Sequence, residues 1–471
     1  MLFTELLQEI ASHLEGREQA ALRMTCRAIS AVLDPIFLSS LTIGSRKDRV
    51  DEDVERLQAI VAGKSRYCQY ARRLHIETSN PFLWHSYYMP VVDEMDTANL
   101  GEMLTAALRG LNELQSVEWV TAWDESAWVA DAIIAGLVGA SLRQLAYTAD
   151  LARRFPRLDR LVVASSLTQL NVRAPTLTSD GGPESIRGLM DLLRRSVRLS
   201  CLELASSTRF PWDDLWHALE TAAVYLSHLK VNVVSAALPH YLLSYSKGST
   251  NLEHLILANF QEPQPISASH DRTQHAFFAR ALPHLATSLV ELRITAKWNY
   301  ARWSFGPHYF DIIPALKRIK VLEFKVTSVA ESLKEDMTIL LDMIPRLPTH
   351  PTRTLGFALS KPTFELLFRY ATNPEDAQKP PRFLSDLLRQ MREIVEGYRY
   401  GGVVPITERE LRMEVQMPYL TEGRHLRLVR LEAEDGDGPG WIYVQFGRDG
   451  KRLGEDEQEE EIESDDSDSE E

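Results

Sequence analysis

Residues that could bind a metal ion or attack a substrate are few in this sequence, and they are scattered. His270 and His275 could offer two imidazoles to a metal ion, but no third ligand is nearby, so a solvated loop is the favoured interpretation. Asp435 and Asp437 lie in an acidic turn that lacks the twelve-residue loop and terminal glutamate of a calcium site. Cys26 could act as a nucleophile, although the role of a small buried apolar residue is favoured. Together these residues predict no site for catalysis or metal binding.

Motifs that carry known catalytic chemistry are also missing from the sequence. Its 471 residues contain no GxxxxGKS/T phosphate loop, no GxSxG nucleophile turn, no HExxH zinc motif and no GxGxxG dinucleotide motif. We therefore predict a protein that is not an enzyme, with no catalytic residue, no cofactor and no metal. A hydrolase or transferase built on an α/β sheet is the disfavoured alternative.

The acidic residues are concentrated at the carboxyl end of the chain. The formal charge is −14, but residues 455–471 hold twelve acidic residues and no basic one, so the rest of the chain carries −2. That near-neutral body predicts no nucleic-acid partner. The tail, residues 454–471, has too few apolar residues to fold and is predicted to be disordered. It is either a solubilising tail, which is favoured, or a regulatory one with candidate phosphorylation sites at Ser464, Ser467 and Ser469.

Cysteine usage and hydropathy predict a protein of a reducing compartment with no membrane segment. Cys26, Cys68 and Cys201 form no CxxC pair and are too few for a disulfide framework. Glutamates interrupt any apolar run near the amino terminus, so no signal peptide is expected. The longest apolar stretch, residues 132–142, is about half of what a bilayer crossing needs. We predict a cytoplasmic or nuclear location.

The first 43 residues have the spacing of short amphipathic helices. Apolar residues at positions 6, 7, 10 and 14 fall on one helical face, and positions 22, 26, 29 and 33 fall on one face of the next helix. A segment of this length buries little apolar surface alone. Its apolar stripe therefore needs a partner.

The residue order in this segment resembles an F-box. The pattern is ELLxEIxxxL, then LRxTCRxI, then a Pro-Ile-Phe exit. The resemblance implies a small helical bundle that docks onto the Skp adaptor of cullin-based ubiquitin ligases. By position, it implies an adaptor-binding set of Leu2, Glu5, Leu6, Ile10, Leu14, Leu22, Cys26 and Ile29. The alternative is an ordinary helical hairpin that caps a larger domain.

A short apolar element recurs through the middle of the chain. A leucine is followed three residues later by a second apolar residue and two residues after that by a third, which is a strand signal. Segments between these elements, such as Ile186–Arg195 and Trp212–Leu226, have helical spacing. The distance between two neighbouring elements, centred on Leu145 and Leu161, is short, and Leu170 and Val172 offer a competing strand in this part of the chain. The predicted strand centres are Leu74, Val117, Leu145, Leu161, Leu202, Leu229, Leu255, Leu292 and Leu322.

The spacing of these centres predicts an α/β fold. A strand plus a helix every 20–29 residues, with insertions in some turns, is the pattern of leucine-rich repeats, whose units stack into a curved parallel sheet backed by helices. The fold is thus predicted as an N-terminal helical F-box-like bundle, an irregular leucine-rich-repeat solenoid, a C-terminal helix plus hairpin, and the acidic tail. A doubly wound α/β domain is the alternative, but no glycine-rich strand-to-helix turn supports it.

The predicted domain boundaries follow these signals. The carboxyl region begins after residue 360 with a loop rich in proline and polar residues, followed by a helix over Arg382–Tyr398 and strands over Arg424–Leu431 and Trp441–Phe446. The hairpin is either a cap on the repeats, which is favoured, or a contact surface. The predicted divisions are 1–43 for the F-box-like module, 44–70 for a connector, 71–360 for the repeats, 361–453 for the helix and hairpin, and 454–471 for the tail.

Tryptophans recur at similar distances after the strand centres. Equal offsets would place them along one edge of stacked repeats, either packed in the core, which is favoured, or on a surface that binds a client protein. The segment Lys297–Tyr309 is the best surface candidate because its aromatic residues alternate with polar ones. The candidate client-binding residues are Trp298, Tyr300, Trp303, Phe305, Trp123 and Trp128.

The two resemblances together imply the substrate-recognition subunit of a Skp–cullin–F-box ubiquitin ligase. Its expected partners are the adaptor, a cullin through the adaptor, and an unknown protein client, with no nucleic acid and no membrane. The alternative is a leucine-rich-repeat scaffold outside the ubiquitin system. The exposure of Leu6, Ile10 and Leu22 discriminates between them, since a cap would hide these side chains and an F-box would present some of them outward.

Overall fold

A computed structural model describes most of the first three hundred residues and shorter segments after them. The chain divides into two compact units, Met1–Leu226 and Ser227–Glu471, and both contain parallel strands that alternate with helices. The protein is therefore an α/β protein. The described residues are 2–44, 50–78, 94–121, 127–149, 156–161, 166–175, 183–247, 251–261, 268–296, 303, 312–326, 334–335, 338–339, 342, 354–359, 390, 393–394, 397, 409–414, 423–431 and 440–446.

The first unit begins with helices and continues with alternating strands and helices. Strands β1 to β6 pair in chain order, all parallel, and their apolar centres lie opposite one another from Leu41 through Leu74 to Leu202. The elements are α1 (Leu2–Ser12), α2 (Gly16–Arg23), α3 (Arg27–Phe37), β1 (Ser40–Ile43), α4 (Val50–Val61), α5 (Tyr67–Tyr70), β2 (Arg73–Glu77), α6 (Glu94–Arg109), β3 (Ser116–Thr121), α7 (Ala127–Leu137), β4 (Gln144–Ala149), a 3₁₀ turn (Leu158–Arg160), β5 (Gln169–Ala174), α8 (Pro183–Arg195), β6 (Cys201–Ser206) and α9 (Trp212–Thr221).

The second unit repeats this arrangement and adds an antiparallel sheet. Strands β7 to β11 pair in chain order and parallel, and β12 to β14 form the antiparallel sheet. The elements are β7 (His228–Val233), α10 (Leu238–Leu243), a 3₁₀ turn (Ser244–Lys247), β8 (His254–Gln261), α11 (Ala268–Ala276), a π-helical turn (Phe277–Ala281), α12 (Leu282–Leu285), β9 (Glu291–Ala296), a 3₁₀ turn (Ile313–Ala315), β10 (Val321–Val326), β11 (Thr354–Leu359), β12 (Arg409–Glu414), β13 (Gly423–Leu431) and β14 (Gly440–Phe446).

One hydrogen-bond pattern recurs where neighbouring strands begin. A single carbonyl oxygen before one strand accepts two consecutive N–H groups at the start of the next strand, as Ser39 does from Arg72 and Arg73. The other carbonyls in this role belong to Arg72, Gln115, Arg143 and Thr168 in the first unit and to Ser227, Glu253 and Val290 in the second. Each strand therefore starts in the same register as the strand before it.

Buried leucines on alternate strand positions hold the helices against the sheet. Leu74 and Ile76 of β2 are buried, whereas the residues between and beside them are at least partly exposed. This alternation matches a sheet with one face packed against helices and the other open to solvent. The sheet face that carries the leucines is therefore the core face of the first unit.

Gly136 on α7 lies close to α6. A Cβ atom at this position would lie 2.6 Å from Leu108 Cβ and 3.2 Å from the Thr105 carbonyl oxygen. We expect Gly136→Ala to destabilise the protein by about 1–3 kcal/mol, because overpacking outweighs the helix propensity gained. The measurement is the urea midpoint. Gly139→Ala is the matched control, since no atom lies within 4 Å of its added Cβ; equal midpoints for the two variants would contradict the prediction.

Eight of the nine predicted strand centres lie in strands, and Leu161 is the exception. Residues Leu158–Arg160 form a 3₁₀ turn. The strand in this part of the chain is β5, which contains the competing residues Leu170 and Val172. Leu158 and Leu161 are both buried. The prediction was wrong because a spacing of three residues brings side chains together on a 3₁₀ turn as well.

Several further elements can be compared with the prediction. The helical spacings near 186 and 212 belong to α8 and α9, and β13 and β14 begin within one residue of the predicted strands. Strand β1 lies inside the segment that was predicted to be a helical module. Residues 390, 393–394 and 397 of the predicted helix Arg382–Tyr398 are helical. The acidic tail and its three serines lie outside the described residues.

Candidate docking surface

Helices α1, α2 and α3 form a small bundle in which α3 packs against both of the others. Ala11 and Leu33 are buried in it. The side-chain amide of Gln19 donates hydrogen bonds to the carbonyl oxygens of Ala11 at 2.8 Å and Leu14 at 3.0 Å, which joins α2 to the end of α1. Glu15 forms a capping box at the start of α2. The bundle is therefore held by polar bonds at the turn between α1 and α2 as well as by apolar packing.

A fully buried carboxylate ties this bundle to the segment before β2. Asp34 on α3 is 0% exposed and accepts a hydrogen bond from Arg23 Nε at 2.6 Å. Its other oxygen pairs with Arg66, which precedes α5. The Arg23 guanidinium also lies 4.6 Å from the centre of the Phe37 ring. Because a buried charge is costly unless it is paired, Asp34 holds α2, α3 and the residues near Arg66 together.

The implied adaptor-binding residues lie on the accessible side of the bundle. Leu6 is 60% exposed and Ile10 is 45% exposed, one turn apart on α1. Glu5 and Cys26 are exposed, and Leu14, Leu22 and Ile29 are half-buried; for Leu2 only the backbone is described. None of the seven side chains that the structure describes is therefore buried. Several apolar side chains of the bundle are therefore at least partly accessible, and we call them together the docking surface: Leu6, Ile10, Leu14, Leu22, Met24 and Ile29.

We include Met24 in the docking surface because of its exposure, although it was not among the predicted residues. Its side chain is 85% exposed at the end of α2. It follows the last turn of the helix, so the helical periodicity of the sequence does not mark it. Among the described residues, the other strongly exposed large apolar side chains are Val61 and Val197, which lie outside the bundle.

Cys26 is placed differently from the sequence expectation. Its side chain is exposed, and it precedes α3 as the N-cap residue with an extended backbone. The expectation of a small buried apolar residue was therefore wrong, because an N-cap position lies outside the packed helical face.

His270 and His275 lie in α11 and not in a loop. Five residues on a helix separate the two positions by about 140° around the axis.

The candidate client-binding aromatic residues have different locations. Trp303 is 1% exposed, with its ring centre 5.3 Å from those of Phe277 and Phe278, so its prediction as a surface residue was wrong. This large apolar ring packs in an aromatic cluster in the core of the second unit. Trp128 is half-buried on α7. Trp123, Trp298, Tyr300 and Phe305 lie outside the described residues, as do Asp435 and Asp437.

The open strand face of the second unit carries a charged network. Glu291 on β9 lies 2.9 Å from the His254 ring nitrogen and also accepts a hydrogen bond from Arg293. Arg293 in turn donates to Glu323 on β10 at 3.2 Å. Burial acts to raise the pKa of Glu291, but the hydrogen bonds from His254 and Arg293 and their charges outweigh it, so this pKa lies below its usual range. The folded state therefore favours the ionised carboxylate.

Glu291 should make the stability of the second unit depend on pH. Its pKa is lower in the folded state, so its stabilisation is present above the unfolded pKa, near 4.5, and is lost as pH falls through the folded pKa. We expect Glu291→Gln to reduce stability by about 1–2 kcal/mol at pH 7 and by less at pH 3. Urea unfolding at both pH values measures this.

Glu118→Gln is the control for that variant. Glu118 also pairs with a histidine on a strand face, at 3.0 Å from His75, but it is an exposed residue of the first unit. We expect its substitution to change stability by less than about 0.5 kcal/mol at either pH. A cost of Glu291→Gln that is the same at pH 7 and pH 3 would argue against the ionised network.

No protein-family model matches the chain, and no curated protein matches it either. Among the described residues, no helix combines the length and the apolar character that a bilayer crossing requires. Among the described residues, the docking surface is the feature that most needs a functional explanation.

Proposed function

We propose that this chain is the substrate receptor of a Skp–cullin–F-box ubiquitin ligase. In this role α1, α2 and α3 bind the Skp adaptor, and the parallel-strand units bind a protein client. The observation that carries the proposal is the exposure of Leu6 and Ile10 within a residue order that resembles an F-box. The receptor itself transfers no group.

The exposed apolar side chains favour docking over capping. Complete burial of one large aliphatic side chain is worth about 1.5–3 kcal/mol, so leaving Leu6, Ile10 and Met24 open forgoes substantial stabilisation. A helical cap on a repeat domain would place such residues against the first repeat. An adaptor-binding module keeps them available for a partner. This contrast favours the receptor over the scaffold alternative.

The strand units support a repeat architecture of the leucine-rich type. Within each unit the parallel strands follow one another in chain order, and the shared-carbonyl pattern recurs from strand to strand. In β1 to β6 and in β7 to β10, each strand contributes a buried leucine or valine at the same register position, as Leu229 and Leu255 do. A succession of similar strand–helix units in which each contacts its neighbours is the organisation of repeat proteins. We therefore propose that both units are built from irregular repeats.

The proposed mechanism is proximity. The adaptor bundle tethers the receptor to the cullin, and a client held on the strand units is brought near a ubiquitin-charged enzyme. Tethering raises the effective concentration of client lysines at the thioester without any new covalent chemistry on the receptor. On this mechanism, loss of the docking surface should abolish ubiquitin transfer to the client while client binding persists.

The direct test is binding of the purified intact chain to a purified Skp adaptor. We expect a stoichiometric complex by size-exclusion chromatography and calorimetry. A folded chain that does not bind would refute the proposal and favour the scaffold. Deletion of residues 1–43 is a poor control, because it also removes β1 with its buried Leu41 and Ile43, together with Asp34. Point variants of the docking surface are the sharper controls.

A further inference from the structure

Positive charge is concentrated in one part of the first unit. Residues 151–200 contain nine arginines and four acidic residues, although the chain as a whole is strongly acidic. Six of these arginines, which we call the arginine strip, lie on or beside α8 and the 3₁₀ turn before it. They are Arg157, Arg160, Arg187, Arg194, Arg195 and Arg198. All six side chains are exposed.

Asp159 joins the arginines of the 3₁₀ turn to those of α8. Arg157 donates two hydrogen bonds to its carboxylate, at 3.1 and 3.0 Å, and Arg195 from α8 donates to its backbone carbonyl. A Cβ atom on Gly188 would lie 2.9 Å from the same carboxylate, so α8 packs closely on the turn. The hydrogen bond from Arg157 lowers the pKa of Asp159, against a burial that would raise it, and the Arg160 charge adds to the lowering. The arginines of both elements therefore form one surface.

This surface has more arginines than carboxylates. Asp159 pairs with Arg157; in addition, Arg160 pairs with Asp131 at 3.1 Å and Arg194 with Asp191 at 2.8 Å. Among the described residues, Arg187, Arg195 and Arg198 have no carboxylate partner. Among the side chains that the structure describes here, three positive charges are therefore not matched by a carboxylate.

Two of these three arginines, Arg187 and Arg195, lie along α8. Arg187, Asp191 and Arg195 recur every four residues and therefore share a helical face. The Arg195 Nε group donates to the Asp191 carbonyl at 3.1 Å, and a terminal nitrogen donates to the Asp159 carbonyl. These two bonds orient the guanidinium without neutralising it. A guanidinium held in this way has lost part of its conformational freedom before a carboxylate arrives.

We propose that the arginine strip binds an acidic peptide segment of the client protein. This rests on the proposed receptor function and names the chemical class of client. Guanidinium groups bind carboxylates through paired, charge-assisted hydrogen bonds, which suits a run of Asp and Glu side chains. A nucleic acid fits less well, because single-stranded binding sites combine basic residues with aromatic stacking platforms. The described residues within 156–161 and 183–200 include no aromatic residue.

Fluorescence anisotropy with a short labelled peptide of alternating Glu and Gly tests this inference on the full chain. We expect saturable binding that weakens as salt is raised. We expect Arg187→Glu with Arg198→Glu to weaken it by about tenfold or more, because two attractions become repulsions. The matched control is Arg272→Glu with Arg280→Glu, the same charge change at two exposed arginines of the second unit. This control should bind the peptide at most about twofold more weakly than the unaltered chain.

Three outcomes would overturn the inference: no peptide binding at low salt, equal loss in both variants, or tighter binding of an oligodeoxythymidine than of the peptide. Adaptor binding by the same preparations separates this inference from the proposed function. If the adaptor binds and the peptide does not, the strip is misassigned and the receptor proposal stands. If the peptide binds and the adaptor does not, the receptor proposal fails while the acidic-peptide surface remains.

Discussion

Replacing Leu6 and Ile10 together by aspartate is expected to abolish adaptor binding and leave the fold intact. Both side chains are exposed, so the free chain loses little packing. In the proposed complex the same two positions lie in an apolar contact, where unpaired carboxylates are costly to bury. The affinity for the adaptor should fall by more than about 100-fold, which calorimetry with purified proteins measures directly.

Val61→Asp with Val197→Asp provides a closely matched control. These valines are 48% and 64% exposed, against 45% for Ile10 and 60% for Leu6, and both lie outside α1, α2 and α3. The control therefore adds the same two charges at sites of similar exposure. It should bind the adaptor like the unaltered chain. Full binding by the Leu6 and Ile10 variant, or equal loss in the control, would show that α1 does not carry the contact.

Eight of the parallel strands could be predicted from sequence because each has a short, regular apolar signature. Leu74, Leu202 and Leu292 each begin an alternating run whose spacing suits a strand, and each lies opposite the corresponding residue of the neighbouring strand. Strand β1 was missed because Ser40–Ile43 directly follows a helical pattern and has only four residues. A local pattern predicts a helix or strand well when that element is long enough to show its period.

Contacts between residues that are distant in sequence could not be predicted in the same way. Arg66 lies 32 residues from Asp34, and nothing in the local sequence links their charges. The burial of Trp303 depends on Phe277 and Phe278, which precede it by a full helix and strand. The arginine strip was missed for another reason. A net charge summed over the whole chain does not reveal a local excess of arginines. Contacts distant in sequence decide the site, whereas local periodicity decides the strands.

Removing the two arginines around Asp34 is expected to produce the largest loss of stability in the helical bundle. In Arg23→Met with Arg66→Met, the apolar stems are largely kept, but a fully buried carboxylate loses both of its ion-pair partners. Breaking a buried ion pair in this way costs about 3–5 kcal/mol. Hydrogen–deuterium exchange of peptides from α2 and α3, together with the urea midpoint, measures the loss.

Two further variants separate the charge effect from a simple loss of packing. Adding Asp34→Asn to the double variant removes the uncompensated charge, so about half of the lost stability should return if charge is the cause. Arg56→Met is the second comparison, because its partner Asp53 keeps a hydrogen bond from the Gly44 N–H at 2.8 Å. We expect a cost of about 1 kcal/mol there. If the triple variant is no more stable than the double one, apolar contacts of the arginine stems hold α2 and α3 together, and the buried charge is incidental to the docking surface.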